Sequence, residues 1–404
     1  MNSFIKHKKQ PLFADRMNHI PKSFIREILK VTSQPDVISF AGGLPNPLSF
    51  PSKEILDSAI AVLTEDSSSV LQYAVSEGYL PSREYIANRY TKKGIQVNPE
   101  EILITNGSQQ GLDLCGKIFL NKNDKVLMEA PSYLGAIQAF SAYQPEFLSV
   151  KIQEDGVDTK QFSELLWEHD IKLFYGIPNF QNPTGISYSN EKRKEVAELL
   201  QKTNTVFIED DPYGEIRFSG EALPPIKKYL PDQTILLGSF SKIVAPGLRM
   251  GWMVAKKEFI EKLIIAKQAA DLHSNFLSQR ILYRLLTDFD IDKHTSRISK
   301  LYKKQKDDMI EMIQAYFPKK IQYTNPDGGM FIWLTLPEYM DAHELLTEAT
   351  LLKVAFVPGQ TFFVNKEGKN TIRLNFSNSQ KEEMEEGIKR LGGLLKKFMI
   401  TCLP

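Results

Sequence analysis

Two stretches of this sequence decide its fold class: Val206-Phe-Ile-Glu-Asp-Asp-Pro-Tyr213 and Ile235-Leu-Leu-Gly-Ser-Phe-Ser-Lys242. Each begins as a short run of β-branched and apolar residues and then breaks into a polar, turn-forming tail. Unbroken apolar runs of this length suit strands covered on both faces, as in a parallel sheet. Working outward, similar runs alternate with segments of helical period. Strands are expected at Ile102 to Thr105, Val126 to Met128, Phe147 to Ile152 and Leu173 to Ile177, with helices from Ser108, after Ser132, near Phe162 to Trp167 and from Glu191. The alternation reads as βα units around a mostly parallel sheet, an α/β fold. Beyond Lys256 come long helical stretches, then strands at Gly329 to Leu336, Val354 to Val357 and Thr371 to Phe376 around a helix, and a closing helix near Lys381 to Lys397. That part reads as a smaller α+β domain. The Gly-Pro cluster from Gly42 to Pro51 and the polar tract Glu65 to Ser69 read as loops.

The 404 residues are 42% hydrophobic and 25% charged, with 50 basic against 49 acidic side chains and a formal net charge of +1. This is soluble globular composition, long enough for two domains sharing a large core. A balance so near zero argues against a nucleic-acid partner held by charge. The basic cluster Lys6, His7, Lys8 and Lys9 precedes Pro11 and reads as a solvated arm rather than a membrane anchor. Two cysteines, Cys115 and Cys402, make neither a disulfide framework nor a zinc site, so a reducing cytoplasm and no metal are expected. With no long apolar run and no secretory leader, the chain is expected to be soluble, unprocessed and without a membrane partner.

Ligands of open α/β sheets sit beyond the C-terminal strand ends, so the residues that follow each strand carry the chemistry. Asn106-Gly-Ser-Gln-Gln110 opens a helix whose free N–H groups and Ser108 hydroxyl suit either an anion or an ordinary cap. Nearby, Gly111, Gly116 and Lys117 have the spacing of a nucleotide P-loop, but Ile118 stands where a hydroxyl is needed and the segment continues a helix, so that reading fails. Gly111 itself is a helix-weakening residue with no assigned role. After Ile208, Asp210 either presents a carboxylate to the cleft or sits in a solvated loop where Asp211 caps the next turn. Lys242, flanked by Ser239 and Ser241, either suits imine chemistry, once partial burial lowers its basicity, or is an ordinary surface lysine. Arg249 follows seven positions on (249 − 242 = 7). Taken together, lysine nucleophile, strand-end aspartate, hydroxyl-bearing helix start and arginine form the set needed to hold pyridoxal phosphate.

The motifs also carry a family likeness. Ser39-Phe-Ala-Gly-Gly-Leu-Pro-Asn-Pro47, Leu71-Gln-Tyr73 with Gly78, Gly107-Ser-Gln-Gln110, Ala130-Pro-Ser-Tyr133, Gln181-Asn-Pro-Thr-Gly185, Glu209-Asp-Asp-Pro-Tyr213, Ser239-Phe-Ser-Lys242 through Arg249, and Ile372-Arg-Leu374 run in family order from near residue 20 to the C-terminus. The chain resembles the class I aminotransferases of the fold-type-I pyridoxal-phosphate enzymes, in the 2-aminoadipate/kynurenine aminotransferase branch. The resemblance implies an arm at 1–20, a large cofactor-binding domain at 48–290, and a small domain built from 21–47 and 291–404.

The same resemblance implies the site. Lys242 carries the cofactor on its amine and, once displaced by substrate, shuttles the proton at the substrate Cα. Asp210 pairs with the protonated ring nitrogen, Tyr213 and Asn182 hold the ring oxygen, and Tyr133 stacks on the ring. Ser108, Gln109, Ser239, Ser241 and Arg249 hold the phosphate. Arg373 clamps the substrate α-carboxylate, aided by Asn182 and a Gly43 backbone N–H. Tyr73 reaches the phosphate of a neighbouring subunit, so a homodimer with composite sites is implied. Arg26, in Ser23-Phe-Ile-Arg26, sits where relatives acting on 2-aminoadipate have a mobile arginine; it pairs either with a substrate side-chain carboxylate or with Glu27 or solvent. The implied reaction is ping-pong transfer of an α-amino group from 2-aminoadipate, glutamate or a broader aromatic and branched-chain set to a 2-oxo acid such as 2-oxoglutarate. One alternative is β-elimination on cysteine conjugates, which shares the Lys242 chemistry. A second is a non-catalytic sensor like those of winged-helix regulators, against which stands the shortness of the segment before the aminotransferase-like start.

Overall fold

The computed structural model describes residues 12–18, 20 and 36–401. The basic cluster Lys6, His7, Lys8 and Lys9, most of the arm at 1–20, Arg26 and Cys402 lie outside the described residues. In chain order the first elements are β1 (Ile38–Ser39), α1 (Ser52–Val70), α2 (Leu80–Lys92), β2 (Ile102–Thr105), α3 (Ser108–Phe119), β3 (Lys125–Ala130), α4 (Leu134–Ser141), β4 (Glu146–Gln153) and β5 (Gly156–Val157). There follow α5 (Thr159–Glu168), β6 (Ile171–Gly176), α6 (Asn190–Leu200), β7 (Val206–Asp211), β8 (Thr234–Ser239) and β9 (Gly251–Val254).

One eight-stranded sheet has the order β2-β9-β8-β7-β6-β3-β4-β5. Strands β8, β7, β6, β3 and β4 run parallel, as their apolar runs require. Strands β7 and β8 are buried along almost their whole length. Across the β6–β7 pair Phe174 stacks on Phe207, ring centroids 5.0 Å apart; burying such a side chain contributes roughly 1.5–3 kcal/mol. Helix α3 approaches the sheet so closely that a Cβ on Gly111 would lie 3.1 Å from Leu237 Cδ2 and 3.3 Å from Met253 Cγ, which accounts for that glycine.

Strand β9, Gly251-Trp-Met-Val254, is not legible in the sequence, because it opens on glycine and has neither a β-branched run nor a period-two alternation. It runs antiparallel to both β8 and β2. The connection from Phe240 to Met250 is too short for the helical crossover of a parallel neighbour, so the chain returns antiparallel. Lys242 and Arg249 both belong to this connection and are thereby held together at the C-terminal end of β8.

The remaining elements are α7 (Lys257–Asp271), α8 (Phe276–Asp288), α9 (Ile291–Tyr316), β10 (Gln322–Tyr323), β11 (Phe331–Thr335), α10 (Ala342–Leu351), β12 (Val354–Ala355), β13 (Val357–Pro358), β14 (Thr371–Asn375) and α11 (Lys381–Thr401). The tract Glu65 to Ser69, expected as a loop, belongs to α1. Arginines of α8 hold it: Arg280 Nη2 pairs with Asp66 Oδ2 at 3.0 Å and Arg284 Nη1 with Glu65 Oε2 at 3.1 Å. Asp66 nonetheless kinks the helix, at φ −152° and ψ 45°. Tertiary partners here outweigh a weak local propensity.

Strands β10-β11-β14-β13 form a second, antiparallel sheet, and β1 pairs in parallel with β12, so the segment before α1 joins this part of the molecule. The strand-end loops of the large sheet are stitched to it. Thr324 Oγ1 donates to the Thr184 carbonyl at 2.7 Å, and the Phe218 amide donates to the Asp327 carbonyl at 2.9 Å. This seam brings Arg373 of β14 within hydrogen-bond reach of Asn182. Among the described residues no helix is long and apolar enough to cross a membrane.

Candidate active site

A cleft of about 280 Å³ opens at the C-terminal ends of β7 and β8, bounded opposite by Gly43, Leu44 and Arg373. Strand alternation sends the three acids of β7 different ways. Glu209 faces away and accepts the amides of Ile226 (2.8 Å) and Lys227 (2.9 Å). Asp210 lines the cleft. Asp211 turns back, accepting Asn179 Nδ2 at 2.9 Å and capping the next turn through the Gly214 amide at 3.0 Å. Asp211 caps the next turn, but the run is a buried strand end and not a solvated loop, with Asp210 2% exposed.

Lys242 lies in the turn after β8, its Nζ donating to the Gly43 carbonyl at 2.9 Å. Ser239 ends β8, and its Oγ accepts the Ser241 amide at 3.1 Å. Arg249 donates from Nη2 to the Asn106 carbonyl at 3.2 Å, beside the first turn of α3. Only glycine fits at 107, where φ is 81° and a Cβ would lie 2.6 Å from Arg249 Nη2. Gly107 is the capping position and Ser108 the first helical residue, so the amides of Ser108 and Gln109 have no acceptor within the helix. Tyr133 OH donates to Gln109 Oε1 at 3.3 Å, and Asn182 Nδ2 donates to Tyr213 OH at 3.4 Å. Arg373, 1% exposed, donates from Nη1 to Asn182 Oδ1 at 2.8 Å and from Nη2 to the Ala41 carbonyl at 2.6 Å. Its guanidinium lies between Phe331 and Phe362, 4.3 Å and 5.0 Å from their centroids.

The structure thus gathers Gly43, Ser108, Gln109, Tyr133, Asn182, Asp210, Tyr213, Ser239, Ser241, Lys242, Arg249 and Arg373 around one cleft. Tyr73 is not brought there: it is 79% exposed, its ring edge-on to His273 at 5.9 Å. Arg26 lies outside the described residues. Sequence reasoning missed Tyr175, whose OH donates to Asp210 Oδ2 at 2.8 Å. Tyr175 pairs with Ile208, two residues before Asp210, so both side chains share one sheet face. That fact needs the inter-strand register, which alternation within one strand does not supply. The aromatic sandwich around Arg373 was missed for the same reason.

Burial above all pushes the Asp210 carboxyl up to about 7, against the lowering effect of the Tyr175 hydrogen bond. Burial, then repulsion from Arg373 and Arg249, brings Lys242 down to about 8, so a free amine is accessible near neutral pH. Burial brings Arg373 down to about 10, which leaves it cationic at neutral pH. Asp210 Oδ1 and Arg373 Nε are buried with no hydrogen-bond partner. Orphaned buried polar atoms are rare and ask for a ligand: Oδ1 calls for a proton donor, Nε for an anion. The donor set fits pyridoxal phosphate, with a helix start and Arg249 for the phosphate, Asp210 for the ring nitrogen and an amine for the carbonyl.

The geometry defines an enzyme that works through a lysine-held, phosphate-bearing carbonyl cofactor. The family model for aminotransferase class I and II matches residues 35–391, and the chain belongs to that family. It is 41% identical to aromatic-amino-acid aminotransferase 1 of Thermococcus litoralis, over 96% of this chain and 94% of the relative. It is 42% identical to the 2-aminoadipate transaminase of Thermus thermophilus, over 95% and 96%. The crystal structure of Pyrococcus horikoshii kynurenine aminotransferase superposes with a TM-score of 0.91 at 39% identity, covering 96% of this chain and 97% of that one. The fold is fold type I, the cofactor is pyridoxal phosphate, and the activity is amino-group transfer.

Proposed function

We propose that this enzyme takes the α-amino group from a broad set of donors, 2-aminoadipate, glutamate and aromatic or branched-chain amino acids among them, and gives it to a 2-oxo acid such as 2-oxoglutarate. The observation that carries the reading is the convergence on one cleft of the Lys242 amine, the unpartnered Oδ1 of Asp210 and the unpartnered Nε of Arg373. Names of relatives that act on aromatic amino acids and on 2-aminoadipate support the donor range. So do the apolar lining residues Leu44 and Ile177.

When bound, pyridoxal phosphate supplies the electron sink that makes an amino acid's Cα proton removable. Ser108, Gln109, Ser239, Ser241 and Arg249 hold its phosphate. Asp210 accepts from the ring nitrogen, Tyr213 and Asn182 hold the ring oxygen, and Tyr133 covers the ring. Lys242 would hold the cofactor through its amine and, when that amine is free, would move the proton at the substrate Cα. Arg373, its guanidinium packed on Phe331 and Phe362, would orient the substrate carboxylate with Asn182 and the Gly43 N–H.

Tyr73 completes the phosphate site of a second copy in a homodimer; its exposure, with Leu71 and Val75 exposed beside it, supports that placement. Residues 48–290 form the cofactor domain and 21–47 with 291–404 the small domain, a division supported by the β1–β12 pairing. The compartment is a reducing cytoplasm. The test is the visible spectrum of the purified protein, before and after single amino acids are added without any oxo acid. Bleaching by 2-aminoadipate, glutamate and aromatic donors supports the reading, whereas a protein that stays colourless with added pyridoxal phosphate overturns it. Release of pyruvate and ammonia from a cysteine conjugate, without an acceptor, would mark β-elimination instead.

A further inference from the structure

Behind the loop that opens α3, helix α7 carries a lysine with no exposed surface. Lys267 Nζ donates to both oxygens of Asp271, one turn on, at 2.9 Å each, and to Gln110 Oε1 at 3.1 Å. Asp271 Oδ2 also accepts Asn106 Nδ2 at 2.6 Å and Gln110 Nε2 at 2.7 Å. Gln110 Oε1 in turn accepts the Asn106 amide at 2.8 Å. None of these four residues lines the cleft.

A buried ion pair is weak evidence for stability, because lost hydration offsets the attraction between the charges. Its distinctive effect here is on geometry. Both ends of the Gln110 side-chain amide meet a charged partner, and Asn106 is held at its main-chain amide and its side-chain Nδ2 while its carbonyl receives Arg249. The segment between Asn106 and Gln110 contains Ser108 and Gln109, which line the cleft and whose amides have no acceptor within the helix. Both ends of that short arc are therefore anchored to one carboxylate.

We propose that Lys267 and Asp271 are positioning residues for the phosphate cradle: they aim the Ser108 and Gln109 N–H groups and, through the Asn106 carbonyl, the Arg249 guanidinium. The proposal rests on reading the cleft as the pyridoxal phosphate site. Hydrogen bonds to a dianion depend steeply on aim, so loosening the arc weakens phosphate binding and leaves contacts to the ring and carbonyl in place.

The discriminating probe is pyridoxal, which has the ring and carbonyl of the cofactor but no phosphate. Full-length protein, freed of cofactor with an amino donor and dialysis, is titrated with each compound and followed by visible absorbance. In Lys267→Met/Asp271→Ala no charge is left unpaired, and water can reach the partly exposed Asp271 position. This variant is expected to bind pyridoxal phosphate about ten-fold or more weakly, with pyridoxal affinity held within about two-fold. Asn106→Ala cuts the same link from the cradle side, is expected to show the same selective loss, and decides the matter if the double variant does not fold. Unchanged pyridoxal phosphate affinity in both, or equal losses for the two compounds, overturns the positioning role. A wild-type protein with no preference for the phosphorylated compound overturns the reading of the cleft itself, which is a separate outcome.

Discussion

Replacing Tyr175 with Phe removes one hydrogen bond and leaves the ring, which packs edge-on against Phe140 at 6.1 Å, undisturbed. That bond, 2.8 Å long, is the one side-chain hydrogen bond onto Asp210 among the described residues, and Asp210 Oδ1 has no partner among them. A hydrogen bond to a charged acceptor contributes roughly 1.5–3 kcal/mol, and one pKa unit corresponds to about 1.4 kcal/mol. Tyr175 favours the charged form, so its loss raises the Asp210 carboxyl by roughly one to two units beyond its value of about 7. A protonated Asp210 lacks the negative charge that would keep the ring nitrogen protonated. The single-turnover rate with glutamate, read as decay of the visible band, is therefore expected to fall about ten-fold on the acid limb of the pH profile, where Asp210 titrates. Raising the pH restores ionisation, so the variant's limb is displaced by about one to two units to higher pH and the rate recovers toward that of the wild type above it. Bound cofactor stabilises the carboxylate in both proteins and moves both profiles down together, so the test lies in their separation. Superimposable pH–rate profiles for wild type and Tyr175→Phe would refute the assignment of Tyr175 to Asp210.

Lys242→Ala is expected to lose the visible band of the bound cofactor and all multiple turnover; sustained transamination by that variant contradicts the role given to Lys242. Arg373→Lys loses the two-point grip and the sandwich between Phe331 and Phe362, and kcat/KM for every amino acid is expected to fall by about 100-fold. A loss under a few-fold would remove Arg373 from the carboxylate site. In Gly238→Ala the new Cβ would meet ring atoms of Trp252 at 2.2 Å, and overpacking of this kind costs about 1–3 kcal/mol. Thermal unfolding should drop by several degrees, and an unchanged Tm shows that the indole yields. Arg26→Ala is expected to weaken glutamate and 2-aminoadipate more than phenylalanine, and equal losses in kcat/KM would make Arg26 a structural residue.

What the sequence showed and what it withheld follow one physical line. Strands β7 and β8 were legible because burial on both faces leaves an uninterrupted apolar run, and the polar residues after them stood out by contrast. Strand β9 and the helical state of Glu65 to Ser69 were not, because the first is decided by the length of the connection from β8 and the second by Arg280 and Arg284, which are remote in sequence. The same division runs through the site. Lys242, Asp210 and Arg249 declare themselves by residue type at a strand end, whereas Tyr175, Phe331, Phe362 and the Lys267–Asp271 pair act through register and packing. A tyrosine in an apolar strand reads as core until the neighbouring strand is in place.

The three cations of the cleft do not act independently. Arg373 and Arg249 both depress the basicity of Lys242, after burial itself. Each arginine is also the natural counter-charge of an anion, a phosphate at Arg249 and a carboxylate at Arg373. An anion that occupies either site screens that arginine's field and thereby raises the affinity of the Lys242 amine for a proton. Before the ligands arrive, the amine's basicity is lowered to about 8, so that its uncharged, nucleophilic form is accessible near neutral pH. Once both anions are in place, the same nitrogen becomes the stronger base, at the stage when it has to take a proton from Cα. The two roles assigned to Lys242 thus call for opposite basicities, and an anion at either arginine shifts the amine in the direction the second role needs.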